Sequence, residues 1–393
     1  MDVVRLTKDS YIPDTLIEGY SSMIWTERYQ SAGEFQMKTA QIAATQAQIP
    51  PGSFISLLDS REVMIVETST IDRDADGNPE LTVVGRSFET FYENRDVSTT
   101  WFSPYVTAFK SFTRTLTTAE QVEFFLWNDI VDNRMHIPNA DWLSNIAVSH
   151  AATKVEARDY QELKAVGDRY SLMLSLLQKG GHGIRALRPR TASVQLVTFD
   201  VGDGTPIFTQ ATDVGALVLQ VYDGVDRTRG QSVNTPVVLS YEAGDITSPQ
   251  YIFTIKDYKN VADVSVAATA VPPTNRVFYA DGASGATYGF DRRVLSVDAT
   301  DIVPAETPNY EAAVQTRALT ELAKVNTKVL FGAEIASVAN YIYNKDYFLG
   351  DKVTLAGEYD FQQDMIVTEY VRTEDSSGDR GFPTLTVESS NDS

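Results

Sequence analysis

The sequence predicts an α+β chain dominated by β-structure: two similar β-barrel-like modules near its two ends, a mostly helical insert, and a β-rich central region. Three observations carry this reading. A short pattern occurs twice. Gly52 is followed by Phe54-Ile-Ser-Leu57, Met64-Ile-Val66, an acidic turn from Asp72 to Asn78, and Leu81-Thr-Val83. Gly350 is followed by an alternating strand, Met365-Ile-Val367, an acidic Gly/Ser turn from Glu374 to Arg380, and Leu385-Thr-Val387. Gly to Met is 12 residues and then 15; Met to Leu is 17 and then 20. A diverged internal repeat and a chance recurrence of common strand tripeptides both account for the pattern, and the shared order of three features favours the repeat. The hydrophobic period also changes along the chain, from alternation to a helical stripe and back. Finally, 393 residues exceed one compact core and suggest two to four domains. We divide them at 1–98 (first β-module), 99–190 (mostly helical insert), 191–308 (β-rich central region, available to complete the barrels) and 309–393 (helix plus second β-module).

Taken in order, residues 1–85 hold strand-like runs at 22–26, 34–38, 54–57, 63–66 and 81–84. They are separated by Gly33, Pro50-Pro51-Gly52 and Asp76-Gly77-Asn78-Pro79, residues that supply a positive or a fixed φ. After Gly85, the residues Phe88, Phe91 and Tyr92 fall on one face of a short helix. Thr117 with Glu120 forms a capping box, opening a helix striped by Val122, Phe125, Leu126 and Ile130. A second helix from about 158 to 179 turns Leu163, Val166, Tyr170, Met173, Leu174 and Leu177 inward and stops at Gly180-Gly181. Strand patterning returns at 216–221, 235–240, 251–255, 261–266 and 276–279, followed by a glycine-rich loop at 280–289. Pro304 to Pro308 leads into a helix with Tyr310, Val314, Ala318, Leu322 and Val325 on its core-facing stripe. The second β-module then occupies 329–388, and 389–393 reads as a frayed tail.

Acidic residues number 53 against 33 basic, a formal charge of −20. That balance argues against a large surface gripping nucleic-acid phosphates, though not against a wall that DNA slides past. No apolar run is long enough to span a bilayer. The start, Met1-Asp-Val-Val-Arg5, lacks the charged and apolar regions of a signal peptide. With no cysteine, disulfides and thiolate metal sites are excluded.

Motifs that carry chemistry are few. Asp72-Arg-Asp-Ala-Asp-Gly77 matches the opening of a calcium loop, but the twelfth position, where a bidentate Glu belongs, is Val83, and its flanks read as strands. A hairpin turn is the better reading. His136, His150 and His182 are widely spaced and lie in no metal-binding pattern; His182, in Gly180-Gly-His-Gly183, reads as a loop residue. No nucleophile elbow, Walker loop or dinucleotide fingerprint is present. Arg185, Arg188 and Arg190 form the notable basic cluster, read as a salt-bridge partner within the chain or between subunits. We therefore expect no catalytic residue, no cofactor and no metal.

One further set of residues does form a pattern. Near the front stand Trp25, Arg28, Gly33 and Phe35, then Val83-Val-Gly85-Arg86-Ser87 and Arg95. In the middle are Pro236-Val-Val-Leu-Ser240, Asn260-Val-Ala262 and Arg292-Arg-Val-Leu-Ser-Val-Asp298. Near the end comes Lys345-Asp346-Tyr347-Phe-Leu349-Gly350-Asp351-Lys-Val353-Thr354. In this order, over about 350 residues, they resemble the tail-tip hub, or tail-associated minor tail, proteins of long-tailed phages infecting Gram-positive bacteria. That family shares its core fold with contractile-phage baseplate hubs. Two departures stand out: an elaborated loop at 280–289, and no C-terminal peptidase or lysin extension, so no enzymatic activity is expected.

The resemblance implies a structural virion protein, a homotrimer at the distal tail tip. Its partners would be the distal tail ring, the tape-measure protein and other tip or receptor-binding proteins, with genome DNA passing through without specific binding. The repeat adds a geometric reason, because three chains with two like modules each present six modules to a six-fold tube. Two rival readings are a carbohydrate-binding receptor protein, detectable on glycan arrays, and a peptidoglycan hydrolase, detectable by zymography.

Overall fold

The computed structural model describes residues 1–73, 76–94, 117–131, 146–154, 169–188, 198–200, 206–209, 217–253, 256, 258–266, 276–280, 289–300, 302, 310–323, 325, 329–335, 340–357 and 362–387. In chain order its strands are β1 Val3–Leu6, β2 Pro13–Ile17, β3 Tyr20–Arg28, β4 Glu34–Thr39, β5 Phe54–Leu57, β6 Met64–Arg73, β7 Pro79–Ser87, β8 Ile146–Ala151, β9 Gly183–Leu187, β10 Thr198–Asp200, β11 Pro206–Thr209, β12 Leu217–Tyr222, β13 Asp226–Arg227, β14 Val238–Ser240, β15 Ile246–Phe253, β16 Val261–Val266, β17 Arg276–Ala280, β18 Val294–Ala299, β19 Val329–Ile335, β20 Lys352–Ala356, β21 Gln362–Asp375 and β22 Gly378–Val387. Helices cover Ile42–Gln48, Thr118–Val131, Arg169–Gly180 and Tyr310–Ala323, with 3₁₀ turns at Phe88–Asn94 and Gly289–Asp291. The chain is thus β-dominated with few helices among the described residues, the class its sequence predicts. No described helix is long and apolar enough to cross a membrane.

The residues group into two compact units. The first contains Met1–Leu239, Ser337–Leu355 and Asp364–Thr386. Among its described residues one sheet of twelve strands runs β13-β20-β21-β3-β4-β7-β6-β5-β1-β2, with β14 also on β20 and β22 also on β21. Alternation in β3 explains its place: Met23 and Trp25 are fully buried while Ile24, between them, is 41% exposed. Antiparallel register sets Trp25 opposite Phe35 and Met23 opposite Met37, and β7 then sets Gly85 and Val83 opposite Phe35 and Met37. These residues build one core with Val3, Ile55, Leu57, Met64, Val66 and Leu81. Burying each large side chain contributes about 1.5–3 kcal/mol.

Strand β1 is buried on both faces. Val3 joins that core, while Val4 and Leu6 point into a second one. The second core lies under a three-stranded sheet, β8-β12-β9, in which β8 is parallel and β9 antiparallel to β12. The Thr118–Val131 helix opens on the expected capping box: the Thr117 amide donates to Glu120 Oε2 at 2.9 Å and the Glu120 amide to Thr117 Oγ1 at 3.2 Å. Val122 and Leu126 of that helix are buried, as are Tyr170, Met173 and Leu177 of the Arg169–Gly180 helix. Phe125, Ile130, Leu163 and Val166 lie outside the side chains described. Phe88 and Tyr92 are buried in the same core, and Phe91 stacks on Phe88 at 6.0 Å. The helical reading of 115–180 passes over β8, a six-residue strand whose Ile146, Ala147 and Val148 are buried in succession. It shows no alternation to betray it.

The second unit contains Ser240–Ala336, Ala356–Gln363 and Val387–Ser393. Its sheet β17-β16-β18 carries the Tyr310–Ala323 helix, whose Val314 and Ala318 pack on Ala262, Val264, Val297 and Ala299. The predicted stripe of this helix is the buried one. A separate antiparallel pair joins β15 and β19. Residues 281–288 of the glycine-rich loop, the Pro304–Pro308 lead-in and the tail from 388 lie outside the described residues.

Candidate functional site

The front motif is a set of structural fits. Trp25 stacks on Phe35 with ring centroids 6.1 Å apart, and its Nε1 donates to Glu27 Oε1 at 3.1 Å. Gly85 faces that stack. A Cβ there would overlap the Ile65 carbonyl oxygen and the Phe35 ring, so only glycine lets the strands close. The Gly33 amide donates to Ser87 Oγ at 2.9 Å. Arg86 reaches Glu67 and Glu93, and Arg28 bonds Glu34 at 2.5 Å, Glu369 at 2.6 Å and the Ala32 carbonyl at 2.9 Å. Arg95 lies outside the described residues.

The rear motif, 346–353, is a turn and a strand built around a buried carboxylate. Asp346 Oδ2 accepts the Ile342 amide at 2.8 Å. Tyr347, Leu349 and Val353 are buried, with Tyr347 5.7 Å from the Tyr343 ring. Asp351, 2% exposed, accepts the Val225 amide at 2.8 Å through Oδ1, and Arg227 Nε at 2.7 Å with the Phe348 amide at 3.0 Å through Oδ2. One side chain therefore anchors β13 to the start of β20.

Gly350 carries the twin of the Gly52 turn. Both have a positive φ, +86° and +83°. The Gly52 amide donates to the Val66 carbonyl at 2.7 Å and the Val66 amide returns to the Ser53 carbonyl at 2.9 Å. The Gly350 amide donates to the Val367 carbonyl at 2.7 Å and the Val367 amide returns to the Asp351 carbonyl at 2.9 Å. The two turns are wired identically at matching positions of the repeated pattern, each followed by a strand, a long strand and a hairpin. This match in backbone hydrogen bonding favours a repeat over a chance recurrence of tripeptides.

Front and rear motifs meet at Tyr29, a residue the sequence reading does not single out. Its amide donates to the Thr368 carbonyl at 2.9 Å, continuing the antiparallel ladder in which β21 lies on β3 from Glu369↔Arg28 to Glu374↔Met23. Its ring lies where a Cβ on Gly350 or Gly183 would fall, and its hydroxyl donates to the Gly181 carbonyl at 2.8 Å. Burial, with Asp223 nearby, pushes this phenol well above its ordinary pKa. Beside it, buried Glu27 accepts Ser60 Oγ and Tyr343 OH, each at 2.7 Å, besides Trp25. Glu62 is pushed well above the carboxylate range by burial and then by Glu27 and Glu89. The signal for Tyr29 in the sequence is its position directly after Arg28 of the front motif.

Residues 4–384 match the model of the siphovirus ReqiPepy6 Gp37-like proteins. The chain belongs to that family. Among curated proteins, none matches this Gp37-like chain. Its fold is that of phage tail proteins of solved structure. A 43 kDa tail protein of prophage MuSo2 from Shewanella oneidensis is 13% identical, with a TM-score of 0.55 over 98% of both chains. A tail protein from Neisseria meningitidis MC58 is 10% identical, with a TM-score of 0.54 over 98% of this chain and 96% of that one. The prophage tail protein gp18 from Listeria monocytogenes EGD-e is 10% identical, with a TM-score of 0.54 over 100% of this chain and 96% of that one.

The remaining candidates in the Gp37-like chain resolve into structural roles. Asp72 and Gly77 belong to the β6–β7 hairpin, not to a helix-flanked loop; residues 74–75 lie outside the description. His182 lies, as read, in the short loop between the Arg169–Gly180 helix and β9, and it is fully buried there, with Nδ1 2.5 Å from Asp223 Oδ1. Burial opposes the charge on Asp223, but His182 and the Lys154 and Thr153 amides outweigh it and hold its pKa below the usual range. His150 lies 2.6 Å from the buried Glu123, which raises its pKa. Arg185 lies over the Tyr222 ring at 4.1 Å and bonds Gln220. Arg188 is buried, donating to Ser56 Oγ and to the carbonyls of Leu57, Leu58 and Ser60. The described part of the arginine cluster is thus spent within the chain; His136 and Arg190 lie outside the described residues. No group of three or more His, Asp or Glu positioned for a metal occurs among the described residues.

Proposed function

We propose that this Gp37-like chain is a structural component of the phage tail: a homotrimeric hub at the distal tip. It joins the six-fold tube and distal tail ring to three-fold tip proteins and gates passage of the tape measure and genome. The observation that carries the reading is the pair of identically wired turns, at Gly52 and Gly350, within one continuous sheet. A sheet that carries two like modules lets three copies present six similar surfaces, which matches three-fold to six-fold symmetry. The fold shared with tail proteins and the hub-family motif order support the same reading. The charge of −20 suits a conduit that releases DNA, because like charge keeps phosphates from adhering. Within this reading the work is done by interfaces and no residue is assigned a catalytic role.

The test is the mass of the purified protein in solution across a dilution series. Three times the 43.5 kDa chain mass is expected at high concentration. A monomer throughout, even when mixed with the distal tail ring, would contradict the proposal.

A further inference from the structure

The two like modules differ in what lies along their hairpins. In the second, β22 returns along one edge of β21 and β3 lies along the other, paired from Glu369↔Arg28 to Glu374↔Met23. In the first, β7 returns along one edge of β6, paired from Thr68↔Val84 to Arg73↔Pro79. Val66 and Val367 hold the same place in the matched turns, so Thr68–Arg73 of β6 corresponds to Glu369–Glu374 of β21. The edge that β3 covers on β21 carries no strand on β6 among the described residues, because β5 reaches only Met64 and Ile65. Every residue of this stretch but Ser69 is exposed, Ile71 by 51%. Its first four residues, Thr68-Ser-Thr-Ile71, carry neither charge nor proline, the devices that keep an edge strand from pairing, and three of them are β-branched.

The chain also holds a strand that fits such an edge. The covering strand β3 belongs to an antiparallel pair, β3–β4, whose second strand ends at Thr39, 13 residues before Gly52. The pair β15–β19 is antiparallel too, and its second strand ends at Ile335, 15 residues before Gly350. Each pair therefore stands at the same place ahead of its module. Strand β4 lies on its own module's hairpin, through β7, and β3 on the other module's, through β21. By the same rule β15, the first strand of its pair, belongs on β6. Among the described residues β15 pairs only with β19, which leaves its other edge open, and it lies in a different sheet of the chain from β6.

We propose that β15 of one copy adds to the open edge of β6 in a second copy, antiparallel, with Gln250–Phe253 alongside Thr68–Arg73. The chain itself selects this occupant, since it already covers the equivalent edge with the equivalent strand. Strand addition is held by backbone hydrogen bonds, so the acidic excess does not oppose it locally. Ile246–Phe253 has no charged residue, and Asp72 and Arg73 offset each other in Thr68–Arg73. Pro249, which has no amide to donate, falls at the irregularity between Thr247 and Gln250 and leaves Gln250–Phe253 in regular register. Three such additions close a ring. The inference rests on the homotrimer reading above and names one of its contacts.

The chain has no cysteine, so an engineered pair supplies the only thiols. Full-length protein carrying Thr70→Cys is combined in turn with Gln250→Cys, Tyr251→Cys, Ile252→Cys and Phe253→Cys, and oxidised where the wild type is trimeric. Side chains alternate along a strand, so one register should dominate the denaturing gel and give covalent trimers. Thr70→Cys with Glu18→Cys is the control for random collision. Hydrogen exchange gives a second readout that needs no variant. Amides of 68–73 and of 250–253 should exchange about ten-fold or more slowly in the wild-type trimer than in the diluted monomer. Absence of either signal in a wild type that trimerises overturns the inference and leaves the hub reading standing. Protection of 68–73 that appears only when other tail proteins are added overturns it too, making one of those the occupant. A wild type that stays monomeric at every concentration overturns the hub reading, and this contact with it.

Discussion

Gly350 and Gly77 separate two costs that a glycine position usually mixes. Both have a positive φ, +86° and +83°, but a Cβ on Gly350 meets the Tyr29 ring, whereas one on Gly77 has nothing within 4 Å. Gly77→Ala should lower stability by about 1 kcal/mol, the backbone cost alone. Gly350→Ala should cost about 2–4 kcal/mol, because overpacking adds to that strain. Urea midpoints of the two variants measure the difference, and equal losses would mean that Tyr29 yields freely. A second prediction concerns Glu89, 2% exposed, whose carboxyl burial pushes up to about 7 while the Ser87 hydroxyl opposes the shift. A raised carboxyl pKa contributes stability that is fully present below about 4.5 and is lost as pH rises to about 7. Wild type should therefore lose on the order of 3 kcal/mol relative to Glu89→Gln across that window. Parallel pH profiles for the two proteins would show that the site is solvated.

At the scale of elements, the sheet is closed by strands from opposite ends of the chain. Arg28 bonds Glu369, 341 positions away, and β3 has β21 as one of its two neighbours. Removing residues from 362 onward leaves the ladder of β3 open and the buried Tyr29 ring without the strand beside it. That truncation should aggregate or lose cooperative unfolding, as an exposed central strand does; a soluble fragment with a single sharp transition would contradict the account. The same scale shows what sequence makes legible. Strands β3, β4 and β7 alternate between a wet and a dry face, so period alone finds them. The capping box at Thr117 and the stripe of the Tyr310–Ala323 helix are local and equally readable. Strand β1 escapes because it is buried on both faces, and β2 because it begins with Pro13 and keeps mostly exposed residues. The motif residues could be read as types, but the meeting of Tyr29 with Gly350 depends on a pairing between distant strands that no local pattern encodes.

At the scale of the whole molecule, the Gp37-like chain combines, among its described residues, one twelve-stranded sheet with two matching turns and few helices, and its sequence carries a strong acidic excess. The hydrogen-bonded seam between β3 and β21 makes the sheet carrying both turns a single mechanical piece. In the proposed trimeric hub, opening then belongs to the contacts between copies and not to separation along that seam. The fold leaves this arrangement testable by direct imaging. Electron microscopy of the purified protein at high concentration is the measurement to make. End-on class averages are expected to show a three-fold ring with a central channel and six peripheral lobes in two alternating sets. Compact particles without a channel, or rings whose lobes number three, would contradict the claim that two like modules per chain adapt three-fold to six-fold symmetry.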